Sequence, residues 1–326
     1  MRAMMSENPG GPESLKLMEL PSKPLGKGQV RVAVKAAGVN FPDTLIIADK
    51  YQFKPPRPFA PGHEIAGDIT EVGEGVSGYN KGDRVIGMIG HGGYASEAVV
   101  DQGALLPMPP NMSYEDGSAF TMTYGTSYYA LKQRSDYKPG ETLLVTGASG
   151  GVGLTAVEIG KAMGARVIAA ASTAEKLAVA TAHGADATVN YTSEKLTERV
   201  MALTEDKGAD VCFDPVGGSL FDAALSALGW GGRILLVGFV GGVPQIPANR
   251  LLVKHRSALG SSLRYFRWHA PDKLERSVAE LLRWHGEGKL KPCITHRLPL
   301  ERAVEGIRLL TDRQAHGKIV VELEPA

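Results

Sequence analysis

The chain has 326 residues, 43% of them apolar, which is length for about two domains and composition for packed cores. Lys plus Arg number 36 against 35 Asp plus Glu, a net charge of +1, so nothing argues for a nucleic-acid partner or an anionic membrane surface. Two cysteines far apart in sequence, Cys212 and Cys293, exclude a disulfide framework or a thiolate metal cluster, and both are expected as small buried apolar residues.

The opening residues, Met1 to Gly11, lack a sustained apolar core, and no later stretch is long enough to cross a bilayer. The default expectation is cytoplasmic. Up to about residue 120 the sequence reads as strands and turns. Gln29 to Val34 alternates, Gly67 to Val72 runs into Gly73-Glu74-Gly75, and Gly82-Asp83-Arg84-Val85-Ile86-Gly87 is a turn entering a strand. From about 121 to 266 strands and helices alternate. The strands are read at Leu143 to Val145, Arg166 to Ala170, Ala187 to Asn190, Val211 to Phe213, Ile234 to Val237 and Ser257 to Gly260. That alternation predicts an α/β fold with a doubly wound parallel sheet. Pro271 to Glu287 reads as a helix, and short strands return at the end, closing with Gly317 to Leu323.

The run Val145 to Gly153, Val-Thr-Gly-Ala-Ser-Gly-Gly-Val-Gly, sits between the strand Leu143 to Val145 and a stretch with Ala156, Val157, Ile159, Ala162 and Met163 at helical spacing. A tight turn needs positive φ, and a phosphate approaches the backbone closely only where no Cβ intervenes, so glycines suit both tasks. The first N–H groups of the helix lack intrahelical partners and carry the positive end of its dipole. Ala148, Ser149, Gly150, Gly151, Val152 and Gly153 are therefore expected to cradle a dinucleotide pyrophosphate. Ala148 departs from the pattern, standing at the first glycine position if Gly150 and Gly153 are the second and third, with Gly147 one residue earlier.

An NAD-binding unit carries an acid for the ribose 2′-hydroxyl about 20 residues on. Here the next strand, Ala165 to Ala171, ends in Ser172-Thr173-Ala174-Glu175-Lys176. A carboxylate there would repel a 2′-phosphate, whereas Ser172 can donate a hydrogen bond and Lys176 offers an ammonium one turn away, favouring NADPH. The alternative is that Ser172 caps a helix starting at Thr173 and Lys176 is solvated; the two roles can coexist.

With these motifs in place, the chain resembles the medium-chain dehydrogenase/reductases over essentially its whole length, and among them the zinc-independent quinone oxidoreductases related to zeta-crystallin. The matching stretches are Ala37 to Asp43, Pro61 to Gly67, Val72 to Val76, Gly82 to Val85, the glycine cradle, Asp214 to Gly218 and Gly317 to Val320. The resemblance implies a GroES-like β domain built from 1–120 and 267–326, with a Rossmann domain, 121–266, inserted between, and a cleft where nicotinamide meets substrate. It also implies a homodimer through the edge strand of the Rossmann sheet, around Arg233 to Val237.

Zinc is not expected. A catalytic zinc needs three protein ligands and an open position. In the zinc branch the stretch matching Gly38 to Asp43 carries a cysteine where this chain has Asn40, the third ligand position falls near Met122, and the four-cysteine lobe is missing. His63 is read as a hydrogen-bonded cleft or core histidine and His91 as a loop residue. An acceptor that takes hydride without a Lewis acid then suits the site: a quinone, or an enone or enoyl thioester.

By the same resemblance, Asn40 orients the nicotinamide ribose or the substrate oxygen, Tyr51 is the candidate general acid or a pocket wall, and Thr126 lies near the nicotinamide. Tyr191 is expected near the adenosine ribose, and Gly238 with Phe239 beside the nicotinamide. Lys318 is expected near the cleft, with an exposed terminal lysine as the alternative, and Asp214 shapes a turn. The leading expectation is an NADPH-dependent quinone oxidoreductase. An enone or enoyl-CoA reductase would want a basic rim such as Arg264, Arg267 and His269, which reads equally as a surface loop between strand and helix. A non-enzymatic NADPH-binding structural or RNA-associated protein is a third possibility, against which the intact cradle and neutral charge speak.

Overall fold

The computed structural model describes residues 1–323, with the side chains of Arg267 and Trp268 outside the description. Two units emerge, one formed by Met1–Met122 together with the chain from Pro292 onward, the other by Thr123–Lys291. The second boundary thus falls after 291 rather than at 266, because the helical stretch beyond 270 groups with the central unit.

In the first unit, β1 (Arg2–Met5) pairs antiparallel with β2 (Lys16–Glu19). Val30, Val32 and Val34 alternate with Arg31, Ala33 and Lys35 and become β3 (Gln29–Gly38), whose valine face is fully buried. Then come α1 (Phe41–Ile47), β4 (Glu64–Val72), β5 (Arg84–Met88), β6 (Glu97–Asp101), β7 (Leu105–Pro107) and α2 (Tyr114–Ser118), after which α3 (Thr121–Tyr128) runs from the end of the first unit into the second.

The second unit alternates without exception through its sheet. Its elements are β8 (Thr142–Thr146), α4 (Gly151–Ala162), β9 (Arg166–Ala171), α5 (Ala174–Ala182), β10 (Ala187–Asn190), α6 (Leu196–Leu203) and β11 (Ala209–Asp214), followed by α7 (Gly218–Ser226), β12 (Leu228–Leu236), α8 (Ala248–Val253) and β13 (Ser257–Gly260). Two helices follow, α9 (Leu263–His269) and α10 (Pro271–Gly286). The chain then returns to the first unit with β14 (Ile294–Pro299), α11 (Ala303–Thr311) and β15 (Lys318–Glu322), giving a seven-stranded sheet in the order β14-β15-β3-β4-β5-β7, with β6 also paired to β3.

All pairs in the six-stranded sheet are parallel, in the order β10-β9-β8-β11-β12-β13. Successive strands run one way from β8 to β10 and the other way from β11 to β13. The order therefore reverses between β8 and β11, and the crevice outside the carboxyl ends of those two strands is where such sheets take ligands. The strand expected to be the dimer edge, around Arg233 to Val237, is interior: β12 pairs with β11 on one side and β13 on the other. The free edges are β10 and β13. Leu263 to His269, expected to be a loop in the less functional reading, is helical.

Candidate functional site

After β8 the chain turns through Gly147, at φ +56, into α4, whose N-cap is Gly150. The glycines have separate jobs. A Cβ on Gly153 would lie 2.1 Å from Gly147 O, so helix and turn can touch only through a glycine, while the left-handed position belongs to Gly147. Gly150 has ordinary φ, and a Cβ there would find only Gly147 O at 3.5 Å. Among the described residues nothing demands a glycine at 150. A ligand approaching the first turn of α4 would.

Ala148 donates its N–H to Ala170 O and Gly150 donates its own to Gly147 O, so neither has that donor left for a phosphate. The first-turn amides of Gly151, Val152 and Gly153 have no intrahelical acceptor by helix geometry. Beside them, at the end of β11, the buried Asp214 accepts from Thr146 Oγ1 (2.6 Å), Val216 N–H (3.1 Å) and Gly217 N–H (3.2 Å). It ties the turns after β8 and β11 together, which is the shaping role expected of it.

At the end of β9 the expected helix start shifts by one. Thr173, not Ser172, is the N-cap of α5, its Oγ1 accepting from Lys176 N–H, so the Ser172 hydroxyl does not serve as the cap. Ser172 and Lys176 are half-buried one turn apart, and Ser172 O is held by Thr192 Oγ1. Tyr191, also half-buried, follows β10 with its N–H on Ala171 O. Gly238 and Phe239 follow β12; a Cβ on Gly238 would meet Pro215 O at 2.9 Å, and Phe239 is exposed. Thr126 is half-buried on α3. Arg264 is half-buried and His269 exposed on α9, and the Arg267 side chain lies outside the described residues.

The first unit holds a cluster of buried charge. Asn40 precedes α1, and Asp43 reaches back to its N–H at 2.8 Å, closing the first turn. Asp43 also accepts from Gly62 N–H (3.2 Å) and Tyr94 O–H (3.0 Å) and lies 2.6 Å from His63 Nδ1. A carboxylate only accepts, so Nδ1 carries a proton toward it, and the buried Nε2 finds no hydrogen-bond partner among the described residues. The Tyr51 ring meets the His63 ring edge-on with centroids 5.9 Å apart.

Lys318 is not the exposed terminal lysine of the alternative reading: its ammonium is buried and donates to Asn40 Oδ1 (2.7 Å) and Val39 O (3.1 Å). Its counter-charge is Glu64, at 3.8 Å, which accepts from Thr121 Oγ1 and Met122 N–H at 2.8 Å each. Burial pushes the Glu64 carboxyl up against the opposing pull of Lys318 and three hydrogen bonds, and pushes the Lys318 ammonium down against Glu64 and Asp43. With its amide nitrogen on Gly38 O (3.1 Å), Asn40 is held from both ends. Asp43 carries no role in the sequence reading; the signal is there, since its charge stands beside apolar residues in a helix whose Ile46 and Ile47 are buried.

Two family models match the chain: "alcohol dehydrogenase GroES-like domain" over residues 26–110 and "zinc-binding dehydrogenase" over 151–282. A quinone oxidoreductase-like protein 2 homolog from Nematostella vectensis is 43% identical over 301 residues, covering 91% of this chain and 82% of that protein. The chain belongs to the quinone oxidoreductase family. Among solved structures, the quinone oxidoreductase of Escherichia coli complexed with NADPH matches with TM-score 0.92 at 29% identity, over 99% of this chain and 100% of that one. The quinone oxidoreductase of Thermus thermophilus, also described in complex with NADPH, matches with TM-score 0.88 at 34% identity, over 99% and 100%.

One matching model carries zinc in its name, and the donor set of this quinone oxidoreductase family member does not fit that metal. Asn40 offers an amide whose oxygen already accepts from the Lys318 ammonium, and a second cation there would meet that charge. Met122 adds a thioether, a weak ligand for zinc. Among the described residues no group of three or more His, Cys, Asp or Glu side chains is arranged to hold a metal.

Proposed function

We propose that the chain is an NADPH-dependent quinone oxidoreductase that works without zinc. The observation that carries this is Gly150: a glycine the chain itself does not need, at the first turn of the helix that opens at the sheet's reversal point. The NADPH complexes of the Escherichia coli and Thermus thermophilus relatives support the cofactor assignment.

The amides of Ser149, Gly151, Val152 and Gly153 hold the pyrophosphate, Ser172 and Lys176 receive the 2′-phosphate, and Tyr191 lies along the adenosine ribose. Thr126, Gly238 and Phe239 flank the nicotinamide ring. When bound, NADPH supplies a hydride to an acceptor whose developing charge is delocalised over a conjugated ring. Asn40 orients the ribose or the acceptor oxygen, and Lys318 and Gly38 fix which way its amide faces. Tyr51, whose ring meets the His63 ring edge-on, donates the proton from its hydroxyl.

The working form we infer is a homodimer that adds β13 of one copy to β13 of the other. Trp230, Leu252 and Val253, 70%, 78% and 72% exposed, stand on elements bordering that strand and would be covered. NADPH consumption measured against 1,2- and 1,4-quinones, alkenals, cyclic enones and short enoyl-CoA thioesters tests the assignment.

A further inference from the structure

α4 carries an acidic residue, Glu158, in the run Thr155-Ala156-Val157-Glu158-Ile159-Gly160, every member of which is buried. Its carboxyl oxygens are fully engaged. Oε2 accepts from Tyr124 O–H at 2.5 Å, Oε1 lies 2.7 Å from His183 Nδ1, and Lys291 N–H approaches both oxygens at 3.2 and 3.4 Å. One helical turn earlier on the same face, Thr155 Oγ1 and Ser127 Oγ hydrogen-bond each other (2.8 Å), and the remaining hydroxyl proton has a carbonyl acceptor in Thr123 O (3.2 Å from Thr155 Oγ1) or Val152 O (2.8 Å from Ser127 Oγ). A polar seam at 152, 155 and 158 thus sets α3 on α4.

The partners of Glu158 belong to elements with distinct tasks in the proposed function. Tyr124 and Ser127 bracket Thr126 on α3, at the nicotinamide end. α4 itself presents the pyrophosphate amides. His183 closes the C-terminus of α5, whose first turn follows Ser172 and contains Lys176. An apolar side chain of similar volume would fill this space without the desolvation penalty of a buried carboxyl. What the carboxyl adds is direction: around α4 it holds Tyr124 of α3, His183 at the end of α5 and the Lys291 N–H in one arrangement, and sliding α3 or α5 along α4 breaks one of these bonds.

We propose that Glu158 is a positioning residue that sets α3, α4 and α5 in one register, so that binding of the cofactor's phosphate end orders the helix carrying Thr126. The inference rests on the NADPH assignment above. The test is hydrogen exchange of the full chain with and without adenosine 2′,5′-diphosphate, which carries the phosphates of that end and no nicotinamide. In the unsubstituted protein the probe should slow exchange about tenfold in the turn, in the start of α5 and also in α3, Thr121–Tyr128. Glu158→Gln and the milder Tyr124→Phe should bind the probe within about twofold of the parent affinity, yet lose the slowing in α3 and drop kcat about tenfold at unchanged KM for NADPH. Tyr124→Phe removes one donor without altering the fold's volume, so it decides the matter if Glu158→Gln does not fold. Slowing in α3 that survives in the folded variants, or that is missing from the parent although it binds the probe, overturns the inference. A parent protein that binds neither NADPH nor the probe overturns the cofactor assignment itself, and this inference with it.

Discussion

The Glu64 and Lys318 pair illustrates what a buried charge pair does and does not contribute. Burial moves each group toward its neutral form in spite of the other, so desolvation outweighs their attraction, and the pair serves to orient Asn40 rather than to add stability. Removing one partner should therefore be costly and removing both should not. Lys318→Met is expected to lower unfolding free energy by about 3–5 kcal/mol, and Glu64→Gln added to it should restore most of that; urea unfolding measures both. A single variant within about 1 kcal/mol of the parent would contradict the reading. His91 gives the pH prediction. Burial, with Lys23 and then His63 adding to it, lowers its pKa, so below the ordinary histidine range the unfolded chain binds a proton that the folded chain does not. Stability present above about pH 6.5 is lost as pH falls from there toward the lowered folded value, and His91→Gln should flatten that fall in midpoints measured from about pH 7 down to pH 5. An equally steep fall in the variant would contradict it.

At the scale of elements, two glycines three residues apart should behave differently. Gly153→Ala places a Cβ 2.1 Å from Gly147 O and should destabilise the protein by about 1–3 kcal/mol or more. Gly150→Ala should leave stability within about 1 kcal/mol while lowering NADPH affinity at least about tenfold. Equal effects of the two on affinity, at unchanged stability, would contradict the division of tasks. The same elements show what sequence makes legible. Ala187–Asn190 and Ser257–Gly260 are found to the residue, although Thr188 and Val189 are the only β-branched residues in the two strands, so it is their place in the strand–helix alternation that marks them. β12 begins at Leu228, well before the expected Ile234, because Leu228 already pairs with Ala209; an irregularity through Gly229 to Gly232, with Gly231 at φ +70, separates that pair from Arg233 beside Val211 and reads in the sequence as a turn. The helix at Leu263 follows two serines and carries aromatic and basic residues in succession, with no apolar period to announce it.

The whole molecule follows the expected plan, a β unit completed by the last residues with a doubly wound unit inserted in its sequence, and what differs from expectation is pairing across the chain. The interior position of β12 is decided by β13, and a local sequence pattern does not say which strand is outermost. The buried clusters escape a sequence reading for a related reason: His63 and Asp43 are 20 residues apart and Lys318 and Asn40 are 278 apart, so the glycine cradle is readable as a local run and the charge network is not. With β13 at the edge, the proposed dimer makes a specific demand. Sedimentation should find a dimer at concentrations of about 10 μM, and Leu252→Glu with Val253→Glu should yield folded monomer, because two charges would face an apolar interface; a monomeric parent would contradict it. The central claim concerns what the cradle holds and what the chain does with it. Its most direct measurement is the steady-state reduction of a 1,4-quinone with NADPH and with NADH, with and without a chelator, by the parent and by Ser172→Asp. The account predicts kcat/KM at least about tenfold higher with NADPH, no loss on chelation, and a reversed cofactor preference in Ser172→Asp. Faster turnover with NADH, or stoichiometric zinc lost together with activity on chelation, would contradict it.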